Sequence, residues 1–249
     1  MTDKLPEFEL ILSRTRRAQV AETLRNAIFA GSFAPGTKLV EMKLASRLGV
    51  SRGSVREAIL ELVEQGLLVN KPYAGTFVAH IDEKALSELF SLRKILDRHV
   101  YTLLWPHRNQ AYRREFTARN RAIAKAMQTG QRTAAIKAEM HFHCYPYEFS
   151  GNDVLLEVWQ LLAHRIQLCF TVSQTVVFGP AFTTENEHYL AAALGDDLDK
   201  MHAEVDRHFD LGLEAVRRAL KRSDNKRHSI DALPEPRERV RRSARSRGR

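Results

Sequence analysis

The chain has 249 residues, of which 44% are hydrophobic and 28% are charged, and its formal net charge at pH 7 is +9. This composition excludes a collagen-like, low-complexity or wholly disordered protein, and the length accommodates two domains of ordinary size. The apolar runs are short and interrupted by charge, and the first 17 residues lack the apolar block of a secretory signal. We therefore expect a cytoplasmic protein without a membrane span.

The positive charge lies at the two ends of the sequence. Residues 221–249 hold 11 Lys and Arg against four acidic residues, and residues 1–80 carry a net charge of +3. A basic balance of this kind favours a nucleic-acid partner. Residues 222–249 are rich in Arg, Ser and Pro and are predicted to form a disordered tail. This tail either adds contacts to DNA phosphates or is a solvated end without a specific role.

Residues 10–80 have the pattern of a winged helix-turn-helix domain. A helix over 17–30 is followed by a Pro35-Gly36 turn and a short helix over about 40–48. Ser51 is a good N-cap for a third helix, which ends before Gly66. Two β-compatible runs, 67–70 and 76–79, then predict a small hairpin.

The third helix carries the chemistry of a DNA recognition helix. Arg52 and Arg56 are four residues apart near its start, so both project from the face opposite the apolar stripe. Guanidinium groups make bidentate contacts with guanine, and hydroxyl and backbone N–H groups at a helix start hold phosphate. Alternatively, Arg56 pairs with Glu57, Glu61 or another neighbour. The predicted DNA-contacting residues are Ser51, Arg52, Gly53, Ser54, Arg56 and Gly75.

Residues 81–221 are predicted to form an all-α antiparallel bundle, so the fold class is mainly α. Short breaks, including Pro106, Gly130 and Gly151, separate the helical patterns. The expected helices cover residues 83–104, 109–128, 132–149, 152–177, 185–194 and 198–221.

One carboxylate and three histidines of the bundle form a candidate metal site. Glu139 and His143 are four residues apart and therefore share a helix face. His188 follows a Thr184-x-x-Glu187 capping box and His208 lies midway along the last helix. Three antiparallel helices can bring such groups onto a divalent ion such as Zn²⁺, Ni²⁺ or Mn²⁺. Taken singly, each histidine is more often an ordinary core or surface residue than a metal ligand.

The N-terminal domain resembles the GntR family of bacterial transcription regulators. The residues that carry the resemblance are Leu24-Arg-Asn-Ala-Ile28, Gly31, Pro35-Gly36, Leu39, Leu44-Ala45, Leu48-Gly-Val-Ser-Arg-Gly-Ser-Val-Arg-Glu-Ala58, Gly66-Leu67 and Gly75-Thr-Phe-Val78. The resemblance implies a homodimer that binds a palindromic operator in double-stranded DNA through Arg52 and Arg56, with Ser51, Ser54 and Gly75. One departure is Gly53-Ser54, where many members have Thr-Pro.

The bundle resembles the FCD type of ligand-binding domain found in this family. The resemblance rests on Leu92-Arg93, Asp97, Glu139-x-x-Phe142-His143, Ser150-Gly-Asn152, Glu187-His188 and Asp197 to His208. It implies a divalent metal held by Glu139, His143, His188 and His208. Two departures are a glutamate where the pattern has aspartate and an interval from His188 to His208 that is a residue or two short.

The FCD resemblance also implies a small carboxylate effector beside the metal. Arg93 stands where the family places a cationic side chain opposite the ion, although a salt bridge with Asp97 is the alternative. His164 and Arg165 are further candidate effector-binding residues.

The sequence therefore predicts a transcriptional regulator that is not an enzyme, with repression as the expected mode. Its operator affinity is expected to change when the effector binds. One alternative is a metal sensor, in which the ion itself is the signal. A second is a metal-dependent hydrolase with a DNA-binding domain, with Glu187 as base, although no HExxH, nucleophile elbow or phosphate-binding loop is present.

Overall fold

A computed structural model describes residues 15–172 and 180–231. The N-terminal part contains three helices and a three-stranded antiparallel sheet in the order β1-β3-β2. Its elements are α1 (Arg16–Phe29), β1 (Lys38–Leu39), α2 (Glu41–Leu48), α3 (Arg52–Glu64), β2 (Leu68–Lys71) and β3 (Gly75–Val78). The predicted winged helix-turn-helix fold is confirmed, and β1 is an additional strand that pairs with β3.

Local signals in the sequence set the limits of these helices. Ser51 Oγ accepts a hydrogen bond from the Ser54 backbone N–H, at 3.1 Å, and so caps α3. Helix α2 ends at Gly49, whose φ of 66° is a left-handed conformation that glycine adopts without steric cost. Apolar residues of α1 and α3 meet in the core of the domain, namely Val20, Leu24, Ile28, Val55, Ile59 and Leu62.

The second part is the predicted helical bundle. Its helices are α4 (Glu83–Leu104), α5 (Gln110–Gln128), α6 (Arg132–Ser150), α7 (Asp153–Val172), α8 (Pro180–Leu194) and α9 (Leu198–Asp231), with a short 3₁₀ helix at Trp105–His107. They enclose one large apolar core that is rich in aromatic side chains. Within the described ranges, no helix is both long enough and apolar enough to cross a bilayer.

Two helix limits differ from the prediction. Helix α8 begins at Pro180, because proline is favoured in the first turn of a helix, so Thr184 and Glu187 lie inside the helix and do not cap it. Helix α9 continues to Asp231, although the sequence predicted its end at 221 and a disordered tail from 222. No proline or glycine interrupts the chain between Gly212 and Pro234. Residues 232–249 lie outside the described residues.

Helix α7 belongs to the bundle but also packs on the winged domain. Leu168 is buried in the core of the winged domain, among side chains from α1 and α3. Thr171 Oγ1 donates a hydrogen bond to the backbone oxygen of Phe29, at 3.3 Å. The Arg165 guanidinium lies against the backbone of Gly66, at the end of α3. The two parts of the chain therefore share an interface built on one helix.

We expect the Gly66→Ala substitution to destabilise this interface. Gly66 has a φ of +71°, and a Cβ atom there would lie 2.2 Å from Arg165 Nε. A left-handed conformation alone costs a non-glycine residue on the order of 1–3 kcal/mol. Gly36 is a matched control, because its φ is +81° and no atom lies within 4 Å of a Cβ built there.

Urea denaturation should show a larger loss of unfolding free energy for Gly66→Ala than for Gly36→Ala. The additional loss of unfolding free energy in Gly66→Ala comes from the clash with the Arg165 guanidinium. The Gly66→Ala/Arg165→Ala double variant should therefore recover part of that loss. Equal losses for the two glycine variants would contradict the contact between Arg165 and Gly66.

Candidate functional site

The first turn of α3 presents small polar groups and one unpaired arginine to the surface. The hydroxyls of Ser51 and Ser54 lie 2.9 Å apart and form a hydrogen bond. Arg52 is exposed and makes no ion pair or hydrogen bond with the described residues, and Gly53 beside it is also exposed. The start of α3 is therefore open to a phosphate group and to a base edge.

Arg56 is paired with a residue that the sequence did not indicate. Its Nη2 lies 2.9 Å from Glu41 Oε2, and its Nε also donates to this carboxylate. The predicted alternative partners, Glu57 and Glu61, do not bind it. Hydrogen bonding to Glu41 raises the pKa of Arg56, and the same pair lowers the pKa of Glu41. Both side chains reach solvent, so DNA can displace the pair.

The hairpin of β2 and β3 forms the wing. Gly75 has a φ of +106°, and a Cβ there would lie 3.0 Å from Lys38 Cε. Tyr73, at the hairpin tip, is fully exposed and has a positive φ of 60°. Lys71 Nζ lies 5.2 Å from the centre of the Phe77 ring. The wing thus presents an aromatic side chain and cations to a nucleic acid, although its contact with DNA stays a prediction.

Three of the four predicted metal ligands come together inside the bundle. Ligand atoms of Glu139, His143 and His208 all lie within 4.8 Å of one another. Glu139 Oε1 is 3.0 Å from His143 Nε2, as their spacing on one helix face predicts. The Nδ1 atoms of both histidines are buried and have no hydrogen-bond partner among the described residues.

His188 does not belong to this cluster. Its side chain is 58% exposed and its Nδ1 lies 4.0 Å from Glu185. Asn186, two residues earlier on α8, is buried instead, and its Nδ2 donates to Glu139 Oε2 at 2.8 Å. Residues two apart on a helix point in nearly opposite directions. The structure therefore does not bring His188 to the cluster, because the buried face of α8 runs through Asn186, Tyr189 and Ala193.

Burial sets the protonation of the cluster. Desolvation lowers the pKa of His143 well below its ordinary value, and nearby Arg93 acts in the same direction. Desolvation also lowers the pKa of His208. Neutral imidazoles are the form that binds a metal ion. Burial raises the pKa of Glu139, although His208, Arg93 and the hydrogen bond from Asn186 oppose this.

A second buried carboxylate lies beside the cluster. Asp97 accepts hydrogen bonds from the hydroxyl groups of Tyr147 and, at 2.9 Å, of Tyr189. Burial raises the pKa of Asp97, against the effect of Arg93 and the two hydrogen bonds. The ring of Tyr189 packs on His143 and His208, with centroid distances of 5.0 and 4.8 Å. Asp97 therefore fixes a ring that contacts both imidazoles.

Arg93 is buried and has no ionic partner among the residues that the structure describes. It is 2% exposed, and its Nε and Nη2 have no hydrogen-bond partner among the described residues. The predicted alternative, a salt bridge with Asp97, is absent from the contacts of the described residues. The guanidinium instead lies over aromatic rings, 4.0 Å from the centre of Phe209 and 4.9 Å from that of Trp159.

A cavity of about 370 Å³ joins Arg93 to the cluster. Its walls include Glu139, His143, His208 and Arg93, and aromatic side chains supply much of the rest. Arg218 and Arg222 of α9 also line it. A cavity of this size, mostly apolar with a few convergent polar groups, has the character of a small-molecule site.

His164 and Arg165 lie away from this cavity. The His164 ring stacks on Phe29 of α1 with 6.5 Å between ring centres, and burial and nearby Arg25 lower its pKa to about 4. Arg165 packs against Gly66. Both residues therefore belong to the interface with the winged domain, because they project from the side of α7 that faces α1 and α3. Their predicted role in effector binding is not supported by this position.

Sequence analysis did not identify Asn186 or Tyr189 as site residues. The available signal was a spacing on α8, since Asn186, Tyr189 and Ala193 are buried and fall on one helix face. The spacing does not show that this face is the buried one, because that depends on how α8 packs in the bundle.

Comparisons with known proteins agree with this architecture. Residues 16–78 match the bacterial regulatory proteins of the gntR family, and residues 88–211 match the FCD domain. The Nta operon transcriptional regulator of Aminobacter aminovorans is 25% identical over 195 residues, which cover 76% of this chain and 90% of that protein. The uncharacterized HTH-type transcriptional regulator YdhC of Bacillus subtilis is 27% identical over 69% of this chain and 77% of its own length.

Solved structures share the fold. A putative transcriptional regulator GntR from Rhodococcus sp. RHA1 has a TM-score of 0.72 and 23% identity, and the match covers 82% of this chain and 98% of that chain. The McbR/YncC protein of E. coli has a TM-score of 0.71 and 21% identity over 83% of this chain and 99% of that chain. The chain therefore belongs to the GntR family of DNA-binding transcriptional regulators, with an FCD domain after its winged helix-turn-helix domain.

Proposed function

We propose that this regulator binds a palindromic operator as a homodimer and that a small carboxylate effector, bound beside a divalent metal ion in the bundle, changes its operator affinity. The observation that carries this proposal is the cavity shared by the unpaired Arg93 guanidinium and the Glu139, His143 and His208 cluster. Repression is the expected mode. A relative described as a probable D-xylose utilization operon transcriptional repressor, from Paenarthrobacter nicotinovorans, supports this.

The residues of the cluster fit a transition metal. Two imidazoles and one carboxylate are common ligands of Zn²⁺, Ni²⁺ and Mn²⁺. Glu139, His143 and His208 would hold the ion, and the partnerless nitrogen atoms of both histidines are consistent with this. A bound ion would supply positive charge that attracts an anionic effector. Tyr189, held by Asp97, would keep the two imidazole rings in position.

Three arginines and two carboxylates, Glu139 and Glu185, line the cavity, and this positive balance favours an anionic effector. Arg93 is buried, and Arg218 and Arg222 add positive charge at the wall formed by α9. Planar guanidinium groups bind carboxylates through two parallel hydrogen bonds. The aromatic walls would contact the carbon skeleton, so an organic acid suits the cavity better than an inorganic anion.

The dimer proposal is supported by an exposed apolar surface on α4 and α7. The two helices pack side by side, and each carries a stripe of apolar residues at helical spacing. Ile95 is 63% exposed and Val154 is 69% exposed. Exposed apolar side chains that gather on neighbouring helices commonly mark a protein interface. The stripe consists of Leu92, Ile95, Leu103, Val154, Val158 and Leu161.

Helix α7 would couple the effector to DNA. Phe170 lines the cavity, while Leu168 and Thr171 contact the winged domain within the same turn of helix. An effector changes operator affinity only if it binds one arrangement of the two domains better than another. A shift of α7 that accommodates the effector would move its contacts with Phe29 and so change the placement of the winged domain.

We expect Arg52→Ala and Arg56→Ala to weaken operator binding, each by about 1–3 kcal/mol, which is about 5- to 150-fold. The operator is first obtained by selecting genomic fragments with the full-length protein, and affinity is measured by fluorescence anisotropy. Arg114→Ala is the control, because Arg114 is an exposed arginine of α5 in the bundle. Operator affinity that is unchanged in both α3 variants would contradict their role.

We expect Arg93→Ala to reduce the stabilisation of the protein by carboxylates. Acetate, succinate and citrate serve as probes of one, two and three carboxylate groups, and thermal shift is the measurement. Loss of a charge-assisted hydrogen bond, worth about 1.5–3 kcal/mol, should weaken binding about 10- to 100-fold. Arg98→Ala is the control, because Arg98 pairs with Asp206, at 2.8 Å, outside the cavity. A full shift in Arg93→Ala would contradict the proposal.

Chelation with EDTA tests whether the carboxylate effector or the metal ion itself is the signal that changes operator affinity. If the metal assists effector binding, EDTA should reduce the carboxylate-induced thermal shift and leave operator affinity in the absence of carboxylate unchanged. Release of the operator by EDTA alone would favour the metal-sensing alternative.

We expect Ile95→Glu to produce a monomer, because a charge placed in an apolar interface remains unsolvated in the dimer. Light scattering measures the mass, and Leu60→Glu, at an exposed apolar residue of α3, is the control. A dimer that persists in both Ile95→Glu and Val158→Glu would exclude the α4–α7 surface as the interface.

A further inference from the structure

Helix α8 contributes a buried amide to the site. Asn186 is 1% exposed, and its Nδ2 donates to Glu139 Oε2 at 2.8 Å. Its Oδ1 is also buried, and no described residue donates a hydrogen bond to it. A carbonyl oxygen has no proton to give, so a buried Oδ1 is satisfied only by a donor or by a cation. Oδ1 and Nδ2 belong to the same amide group, and Nδ2 contacts Glu139, so Oδ1 lies close to the cluster.

We propose that Asn186 Oδ1 is the fourth protein ligand of the metal ion, in the place that the sequence assigned to His188. The proposal rests on the metal site described under the proposed function. Nδ2 would orient the Glu139 carboxylate while Oδ1 contacts the ion, so one amide satisfies both of its polar atoms. His188 is half exposed on the opposite side of α8 and does not compete for this position.

This assignment changes the expected metal selectivity. A set of two imidazoles, one carboxylate and one amide oxygen is harder than a set with three imidazoles. Carboxylate and carbonyl oxygens suit Mn²⁺, whereas imidazole suits Zn²⁺ and Ni²⁺. Zn²⁺ remains the stronger binder of the two in the general order of affinities, but Asn186 should narrow the ratio of Zn²⁺ to Mn²⁺ affinity.

The test uses the full-length protein stripped of metal, with Zn²⁺ and Mn²⁺ alone as probes and a chelating dye as competitor. Asn186→Ala should weaken binding of both ions by about 10- to 100-fold. Asn186→Asp retains an oxygen ligand and adds negative charge, so it should strengthen binding of both. Asn186→His supplies a third imidazole and should raise the ratio of Zn²⁺ to Mn²⁺ affinity at least tenfold. His188→Ala should leave both affinities within twofold of the wild type.

The Asn186→Asp and Asn186→Ala variants show whether Asn186 binds the ion itself or only donates a hydrogen bond to Glu139. If Asn186 only donates to Glu139, Asn186→Asp should weaken binding, because two carboxylates would then repel each other. That result, or unchanged affinity in Asn186→Ala, would overturn the proposal. Aspartate has nearly the shape of asparagine, so Asn186→Asp decides the matter even if Asn186→Ala does not fold, which circular dichroism would reveal.

His143→Ala distinguishes failure of this assignment from failure of the metal site itself. If His143→Ala loses both ions while Asn186→Ala retains them, the metal site stands and the role of Asn186 is rejected. If His143→Ala binds both ions as the wild type does, the proposed metal site is wrong and Asn186 has no ion to bind.

Discussion

The constraint on which the bundle depends is the burial of the Arg93 guanidinium among aromatic rings. An ion removed from water costs several kcal/mol unless a partner compensates for it. The two buried carboxylates nearby are already engaged, since tyrosine hydroxyls bind Asp97 and His143 and Asn186 contact Glu139. The guanidinium is therefore held by its contacts with aromatic rings, and it faces a cavity in which the proposed anionic effector would compensate its charge. The apolar core around it holds this cavity open and limits the size of what can enter.

The sequence predicted the fold well where its signals were local. Glycine and proline breaks marked most helix ends, and Ser51 marked the start of α3. The two-residue strand Lys38–Leu39 was not predicted, because an alternation of apolar and polar residues is recognisable only over a longer segment. Within the site, Glu139 and His143 were predictable from a spacing on one helix. The exposure of His188 was not predictable because packing decides which face of α8 is buried, and the Arg56–Glu41 pair likewise depends on how α2 packs against α3.

The functions of His164 and Arg165 also required three-dimensional information. Adjacent residues on α7 face different surroundings, and sequence alone does not say which side of a helix faces the cavity. In the structure, the same helix carries a side chain that lines the cavity, side chains that fill the core of the winged domain and an exposed apolar stripe. A displacement of α7 along or about its axis would therefore affect all three surfaces, and the proposed effector could act on the winged domain through this one helix.

The ion pair between Arg56 and Glu41 has a consequence for discrimination among DNA sequences. Any duplex that uses Arg56 must first release the guanidinium from a carboxylate that would otherwise face the DNA. A single contact with a phosphate stabilises the complex by little more than the free energy lost with the ion pair. A guanine edge instead accepts two hydrogen bonds from the guanidinium. If Arg56 contacts a guanine as proposed, Glu41 would lower the affinity for random DNA more than the affinity for the operator, and an acidic residue would thereby add to sequence selectivity.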